Sequence, residues 1–176
     1  MGTGIIVCGL NGAGKSTLGK ALAERLDFHF VDIEDLYFPK TDAGYAVSRT
    51  REEVEILLRR ELGGHDAFVF SAVHGNYGED ACFRYAVLLE VPKEIRMRRI
   101  RERSFQKFGG RMLPGGDLYE QEESFFAFAA GRAEDFAERW VRTLRCPVLR
   151  VDGTRPVAEN VDYIITRMFG GGAAQG

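Results

Sequence analysis

A glycine-rich segment near the amino terminus carries residue types that can hold phosphate groups. Residues 9–16, Gly-Leu-Asn-Gly-Ala-Gly-Lys-Ser, fit the pattern G-x-x-x-x-G-K-[ST] between a predicted buried strand and a predicted helix. In that context consecutive backbone N–H groups line a concave space at a helix amino terminus, which favours a polyphosphate. We expect the lysine to reach the outer phosphates and the serine hydroxyl to bind Mg²⁺. The predicted nucleotide-binding residues of this segment are Gly9, Asn11, Gly12, Ala13, Gly14, Lys15, Ser16 and Thr17.

Acidic residues follow the second predicted strand. Asp32 and Glu34 lie two positions apart, so in an extended segment their side chains point to the same side. We predict that Asp32 helps to hold the metal ion and the acceptor, and that Glu34 orients or deprotonates an acceptor hydroxyl as it attacks. Arg103 and Arg111, at or near a glycine-rich loop, are candidates for a mobile cation that reaches the transferred phosphoryl group. With Lys15 and Glu34 they make up the candidate catalytic residues.

Alternating strand and helix patterns must position these residues. Apolar runs predict strands over 4–8, 28–32, 67–72, 85–91 and 147–151. Helical spacing predicts helices over 13–26, from the capping box at Thr50 to residue 62, over 92–103, over 119–144 and over 156–168, with a mobile loop at 105–118. In the long helix 119–144, the residues predicted to face inward are Phe125, Ala129, Ala133, Phe136 and Trp140. The predicted class is α/β, with a parallel sheet covered on both faces and ligands beyond the carboxyl ends of its strands.

Composition bounds the kind of protein. The chain has 176 residues, of which 45% are hydrophobic and 28% charged, which suits one domain over residues 1–170 followed by a disordered tail at 171–176. The net charge of −2 argues against broad nucleic-acid binding. No apolar run approaches the roughly 20 residues of a membrane helix. Three scattered cysteines and the lack of a signal-peptide pattern predict a cytoplasmic protein.

The segment after the third predicted strand separates classes of nucleotide-binding protein. Residues 68–74, Phe-Val-Phe-Ser-Ala-Val-His, contain no acid, and the chain has no N-K-x-D or D-x-x-G element that would indicate a GTP switch. Mechanical ATPases need an acid at that position to hold the metal and activate water. The pattern therefore favours a small-molecule kinase.

Over nearly its whole length the sequence resembles P-loop kinases of the nucleoside-monophosphate-kinase-like group, which includes adenylate, shikimate and gluconate kinases. The phosphate loop is the most specific shared element. Residues 32–35, Asp-Ile-Glu-Asp, look like the acidic pair of shikimate kinases; residues 99–103, Arg-Ile-Arg-Glu-Arg, look like the R-I-x-x-R element before the lid. The resemblance implies a three-layer P-loop NTPase fold with strand order 2-3-1-4-5, an acceptor-binding segment at about 33–64 and a lid at about 104–118.

Further roles come from the same resemblance. It implies that Arg99 lies against adenine, that Arg103 points toward the phosphates, and that Arg132 contacts the acceptor. Residues 152–156, which contain Arg155, are similar to the loop that brackets adenine. Residues 74–78, His-Gly-Asn-Tyr-Gly, replace the turns typical of the named kinases, and the lid matches none of them, so the resemblance does not identify the acceptor.

Alternative interpretations remain open for several of these residues. The arginines of 96–103 can simply solvate a helix, and Arg132 can pair with Asp135. Arg49 can bind an anionic acceptor or be a surface charge. His74 can contact the acceptor or solvent.

The sequence thus predicts an ATP- and Mg²⁺-dependent kinase that phosphorylates a small molecule: a nucleoside, a nucleotide or a hydroxylated metabolite such as a sugar acid. The alternatives are a nucleotide-binding regulatory ATPase without a small acceptor and a polynucleotide 5′-kinase, which the net charge disfavours. The expected state is a monomer or a homodimer with no membrane partner.

Overall fold

Five parallel strands form the centre of the molecule, in the order β2-β3-β1-β4-β5. The computed structural model describes residues 3–39, 48–77 and 82–170. The strands are β1 (Thr3–Cys8), β2 (His29–Asp32), β3 (Ala67–Ser71), β4 (Phe83–Glu90) and β5 (Val148–Asp152). The helices are α1 (Lys15–Leu26), α2 (Ile33–Tyr37), α3 (Arg51–Gly63), α4 (Lys93–Phe108), α5 (Tyr119–Gly131), α6 (Phe136–Val141) and α7 (Val157–Phe169), with a 3-10 helix at Gly109–Met112. The predicted fold class and strand order are confirmed.

Both faces of the sheet are buried, which explains why the strands are continuously apolar. Residues Ile5 to Cys8 of the central strand are all 0% exposed. On one face Ile5 and Val7 pack in a cluster with residues of α1 and α7; on the other, Ile6 and Cys8 pack in a cluster with residues of α3 and α6. The sheet is therefore the middle of three layers.

The chain reverses its direction of travel across the sheet at β1. From β1 it builds β2 and β3 on one side and then β4 and β5 on the other. In open parallel sheets a crevice forms at such a switch point, beyond the carboxyl ends of the strands. The glycine-rich segment follows β1 directly, so the fold places it in that crevice.

The prediction of one long helix over 119–144 is wrong, because the segment forms two helices. α5 ends at Gly131, Arg132 has extended backbone, and α6 begins after Asp135. Ala133, predicted to face inward, is exposed, whereas Ala129 is buried and Phe136 and Trp140 are half-buried. The apolar spacing continues across the break, so periodicity alone does not register it.

Smaller differences concern the elements around the crevice. α4 continues to Phe108, beyond its predicted end at residue 103, and the short α2 was not predicted. The capping box is confirmed, because Thr50 and Glu53 exchange both expected hydrogen bonds. The tail at 171–176 and most of the irregular stretch at 37–48 lie outside the described residues. Across the described ranges, no helix combines the length and apolar character that crossing a bilayer requires.

Candidate active site

The glycine-rich segment forms an open loop between β1 and α1. Its glycines all have positive φ: 151° at Gly9, 82° at Gly12 and 95° at Gly14. A Cβ atom on Gly12 would also lie 2.5 Å from the Arg96 carbonyl oxygen. Both the backbone conformation and the close approach therefore require glycine at residue 12.

The amino terminus of α1 opens into this loop. Its N-cap residue is Gly14, and no side chain in the described part of the chain caps the first turn. The N–H groups of that first turn, at Lys15, Ser16 and Thr17, have no carbonyl partner inside the helix, which suits an anion in front of it. Of the other loop residues, Ala13 donates its N–H to the Leu10 carbonyl at 3.1 Å. The carboxamide oxygen of Asn11 is buried and has no hydrogen-bond partner among the residues described.

Lys15 is the first residue of α1, at the end of the loop, and is buried. Its Nζ donates to the Leu10 carbonyl oxygen at 3.1 Å. Burial lowers the pKa of Lys15 from 10.5 to about 8, against the opposing effect of Glu34 and Asp32. The loop therefore holds a poorly solvated ammonium that an added phosphate would stabilise.

Ser16 and Asp32 line one cavity of about 500 Å³, together with Thr17, Lys20, Glu24 and Asp35. Asp32 also caps α2, because its Oδ1 accepts a hydrogen bond from the Glu34 N–H at 3.0 Å. A hydroxyl and a carboxylate at one cavity are ligand types that suit Mg²⁺, which binds few protein oxygens and keeps several waters. The donor set fits the predicted metal position.

Sequence reasoning missed Ser71 at this edge. Ser71 ends β3 beside Asp32 of β2 and is 0% exposed. Within the described ranges its hydroxyl has no hydrogen-bond partner. Ser71 lies at the end of the third strand, where the sequence contains no acid. The available signal was a hydroxyl residue ending an otherwise apolar strand.

Glu34 lies in the first turn of α2 and is exposed. Among the charges that raise the pKa of Lys15, that of Glu34 has the largest effect. The structure therefore brings the predicted acceptor-binding carboxylate to the phosphate loop.

Arg99 joins the phosphate loop to the loop after β5. Its guanidinium donates to the carbonyl oxygens of Ala13 at 3.3 Å and Gly153 at 3.0 Å. It lines a cavity of about 210 Å³ that Thr17 and Arg155 also line, and Arg155 pairs with Glu159 at 3.0 Å. This is where the resemblance puts the adenine.

The two arginines predicted to be mobile differ in their surroundings. Arg103 is exposed, and its charge is one of those that lower the pKa of Lys15. Arg111 instead donates to both carboxylate oxygens of Asp117, at 3.0 and 2.7 Å. In this structure Arg103 acts electrostatically on the phosphate loop, and Arg111 braces the turn at residues 111–117.

Arg132, His74 and Tyr77 meet on the acceptor side of the crevice. The guanidinium of Arg132 lies 4.9 Å from the ring centroids of both Phe128 and Phe136, and the rings of His74 and Tyr77 stack at 5.5 Å. The break between α5 and α6 makes this possible, because it turns Arg132 back between those two phenylalanines.

Arg132 is half-buried, so its charge is only partly hydrated, and this burial lowers the pKa of its guanidinium. Asp135, the alternative partner, instead pairs with Arg139 at 3.4 Å. No carboxylate among the described residues forms an ion pair with Arg132. Burial, together with the charges of Arg132 and Arg51, also lowers the pKa of His74, which favours a neutral imidazole.

Arg49 hydrogen-bonds to the backbone of α2 instead of facing an open cleft. Its Nη1 donates to the Leu36 carbonyl at 2.8 Å, and its backbone N–H donates to the Tyr37 carbonyl at 2.9 Å. The same region contains Arg51, whose Nη2 donates to the Asn76 carbonyl at 2.7 Å. Arg49 thus fastens the carboxyl end of α2.

Arg96 is the main residue whose position sequence reasoning got wrong. Solvation of a helix was one interpretation of the arginines at 96–103, but Arg96 is 1% exposed. It donates to the carbonyls of Val91 and Asn11 at 3.0 and 3.3 Å, and to both oxygens of Glu134 at 2.8 and 2.9 Å. It therefore braces the phosphate loop from behind, and its spacing of four from buried Ile100 was the signal.

Comparisons with known proteins identify the family and the fold of the chain. A family model described as an AAA domain matches residues 5–109. The uncharacterized protein YqaC of Bacillus subtilis (strain 168) is 32% identical over 171 residues, which cover 92% of this chain and 94% of that protein.

Solved kinase structures share the whole fold. Shikimate kinase from Acinetobacter baumannii in complex with shikimate superposes with a TM-score of 0.58 at 18% identity, over 98% of this chain and 96% of that one. A gluconokinase from Sinorhizobium meliloti 1021 gives 0.51 at 20% identity, over 92% and 87%. The resemblance inferred from the sequence is thereby confirmed for the fold. The chain belongs to the AAA domain family and has the fold of the P-loop small-molecule kinases.

Proposed function

We propose that this chain is a kinase that transfers the γ-phosphoryl group of ATP to a hydroxyl of a small anionic acceptor. The observation that carries the proposal is the position of α2. At its start Glu34 acts on Lys15 of the phosphate loop. At its end, burial and the neighbouring Tyr37 raise the pKa of Tyr77, which belongs to the cluster that contains Arg132. One short helix thus connects a phosphate-binding loop to a separate cationic cluster, as transfer between two bound substrates requires.

The proposed chemistry consists mainly of positioning and charge neutralisation. The first-turn N–H groups of α1 and the Lys15 ammonium would hold the β- and γ-phosphates, with Arg103 adding positive charge nearby. Ser16 and Asp32 would hold Mg²⁺, directly or through water, and the ion would neutralise charge on the phosphate oxygens. Glu34 would accept a hydrogen bond from the acceptor hydroxyl, orient it toward the γ-phosphorus and take its proton.

The surroundings of Arg132 narrow the acceptor class. A partly buried cation without a carboxylate partner costs free energy that a bound anion would offset. The same cluster contains the ring faces of His74 and Tyr77 and the half-buried Trp140. In the described part of the structure, Nε1 of Trp140 has no hydrogen-bond partner. These features support an acceptor that carries a phosphate or a carboxylate beside its hydroxyl, such as a nucleotide or a sugar acid, over a neutral nucleoside or sugar.

Paired acceptors test this proposal. Each pair contains a neutral and an anionic compound with the same hydroxyl: a nucleoside with its monophosphate, and a sugar with its sugar acid. ADP formation from ATP and Mg²⁺ is expected with an anionic member and at least about tenfold more weakly with its neutral partner, since a charge-assisted hydrogen bond is worth about 1.5–3 kcal/mol. Nucleotide binding without turnover on any anionic compound would favour the regulatory ATPase instead.

Glu34→Gln provides the second arm of the test. We expect kcat to fall by about 10²–10⁴, the usual contribution of a positioned acid or base, while ATP affinity measured by calorimetry changes little. Glu52→Gln is the matched control, because Glu52 is also an exposed acid in the first turn of a helix. Equal loss of transfer and of ATP affinity in Glu34→Gln would place Glu34 in the nucleotide site and contradict the proposed role.

A further inference from the structure

Two of the chain's three histidines meet at the end of the sheet where the strands begin, opposite to the end that carries the phosphate loop. His29 begins β2, and His65 lies two residues before β3. Glu61 lies in the last turn of α3, and its Oε2 is 3.2 Å from the Nε2 of His29. Residues distant in sequence thus converge where β2 and β3 start, whereas the active site lies where they end.

The geometry of these three side chains suits a metal ion. One potential ligand atom from each of His29, Glu61 and His65 lies within 4.8 Å of the others. A Zn²⁺ ion with nitrogen and oxygen ligands at roughly 2.0–2.2 Å separates its ligand atoms by about 3–3.5 Å in a tetrahedral site. The three atoms are therefore close enough together for side-chain rotation to bring them onto one ion.

His65 supplies the necessary freedom of movement. Its ring stacks on that of His29 with centroids 3.6 Å apart and an angle of 11° between planes. Nitrogen lone pairs lie in the ring plane, so parallel rings do not aim them at one point, and one ring has to turn. His65 is exposed and follows Gly63 and Gly64. Its ring can therefore rotate toward Glu61.

We propose that His29, Glu61 and His65 form a binding site for a divalent transition-metal ion such as Zn²⁺, with water completing its coordination. Imidazole nitrogens suit zinc, copper, nickel and iron, whereas Mg²⁺ and Ca²⁺ prefer oxygen ligands. The site is therefore chemically distinct from the Mg²⁺ position at Ser16 and Asp32. It does not depend on the proposed kinase activity.

Metal binding would fasten the edge of the sheet. Among the strands that the structure describes, β2 lies at the edge and pairs only with β3. The His29–Glu61 contact by itself is a half-exposed side-chain contact of the kind that contributes little. An ion held by all three residues would tie β2 to α3 and to the loop before β3. Because it would bind the folded state and not the extended chain, it would raise the melting temperature.

Titration of metal-stripped protein without a histidine tag tests the proposal. Calorimetry with Zn²⁺ is expected to give one ion per chain, retained in millimolar Mg²⁺, together with a rise in Tm. His65→Ala and Glu61→Gln are expected to weaken binding at least about tenfold, since even outer-shell partners of metal ligands are worth 10–100-fold. His74→Gln, which changes the remaining histidine, is expected to leave Zn²⁺ affinity and the Tm rise unchanged.

Cobalt substitution identifies the ligands. The visible absorption of bound Co²⁺ should indicate nitrogen and oxygen ligands and should disappear in His65→Ala. Strong near-ultraviolet thiolate absorption would assign the ion to the cysteines and overturn the proposal. Absence of Zn²⁺ binding in the wild type, or unchanged affinity in both His65→Ala and Glu61→Gln, would equally overturn it.

Discussion

Replacing Lys15 with methionine is expected to make the ligand-free protein more stable while removing its capacity for phosphoryl transfer. Methionine has a similar length and no charge. Each pKa unit is worth about 1.4 kcal/mol, so the fall of the Lys15 pKa from 10.5 to about 8 amounts to about 3 kcal/mol of unfavourable burial near pH 7. The Leu10 carbonyl keeps its hydrogen bond from the Ala13 N–H, so the substitution leaves it satisfied.

The stability difference between Lys15→Met and wild type depends on pH in a defined direction. Between pH 8 and 10.5 the unfolded chain holds a proton on Lys15 that the folded protein has lost, so wild-type stability from this group rises with pH. The advantage of the variant therefore shrinks from about 3 kcal/mol at pH 7 to about 1 kcal/mol at pH 10. Burial raises the pKa of Cys8 to about 12, against the opposing charge of Lys15, and this rise lowers stability above pH 9. At pH 10 the folded thiol keeps its proton with or without Lys15, so the effect nearly cancels in the difference.

Urea unfolding at pH 7 and pH 10 measures this difference. The buffers must lack phosphate and sulfate, which would bind the loop and stabilise the wild type selectively. Lys20→Met serves as the control, because Lys20 is exposed on the same helix and its replacement is expected to change stability by less than about 0.5 kcal/mol. If Lys15→Met is no more stable than wild type at pH 7, or still transfers phosphate at the wild-type rate, the account of a desolvated phosphate-binding lysine is refuted.

Three other substitutions test the supports of the site and its acceptor contact. Arg96→Met removes the donors to the buried carbonyls of Val91 and Asn11, and is expected to cost at least about 2 kcal/mol in urea unfolding. Glu134→Gln keeps one oxygen acceptor but leaves the buried Arg96 guanidinium without its carboxylate partner, and is expected to cost about 1–3 kcal/mol. A cost below about 0.5 kcal/mol for Arg96→Met would contradict the bracing role of Arg96. Arg132→Gln is expected to raise KM for the anionic acceptor about 10–100-fold and leave KM for ATP unchanged in steady-state assays; a rise in both would argue against an acceptor contact.

The phosphate loop is the part of the site that the sequence determined most completely. Its conformation depends on contiguous residues: glycines that accept positive φ, a strand before them and a helix after them. The ammonium and the hydroxyl that follow Gly14 then point into the space that these glycines leave open. The order of the elements, in which strands alternate with helices, likewise predicted the parallel sheet. Strands buried on both faces of such a sheet have continuous apolar sequences, as these strands do.

Tertiary structure decided which distant residues serve that loop. Arg96 has the same local appearance as the other arginines of α4, and only the packing of α4 against the loop distinguishes it as buried. The break at Arg132 does not change the apolar spacing of the sequence. Phe136 and Trp140 of α6 pack against the same cluster that they would contact from a continuous helix.

His29 and His65 became neighbours only because β2 and β3 pair in parallel. The physical reason is the range of the forces involved. Backbone conformation and capping depend on a few adjacent residues, whereas the burial of a charge or the meeting of two side chains depends on how separate elements fill a common volume.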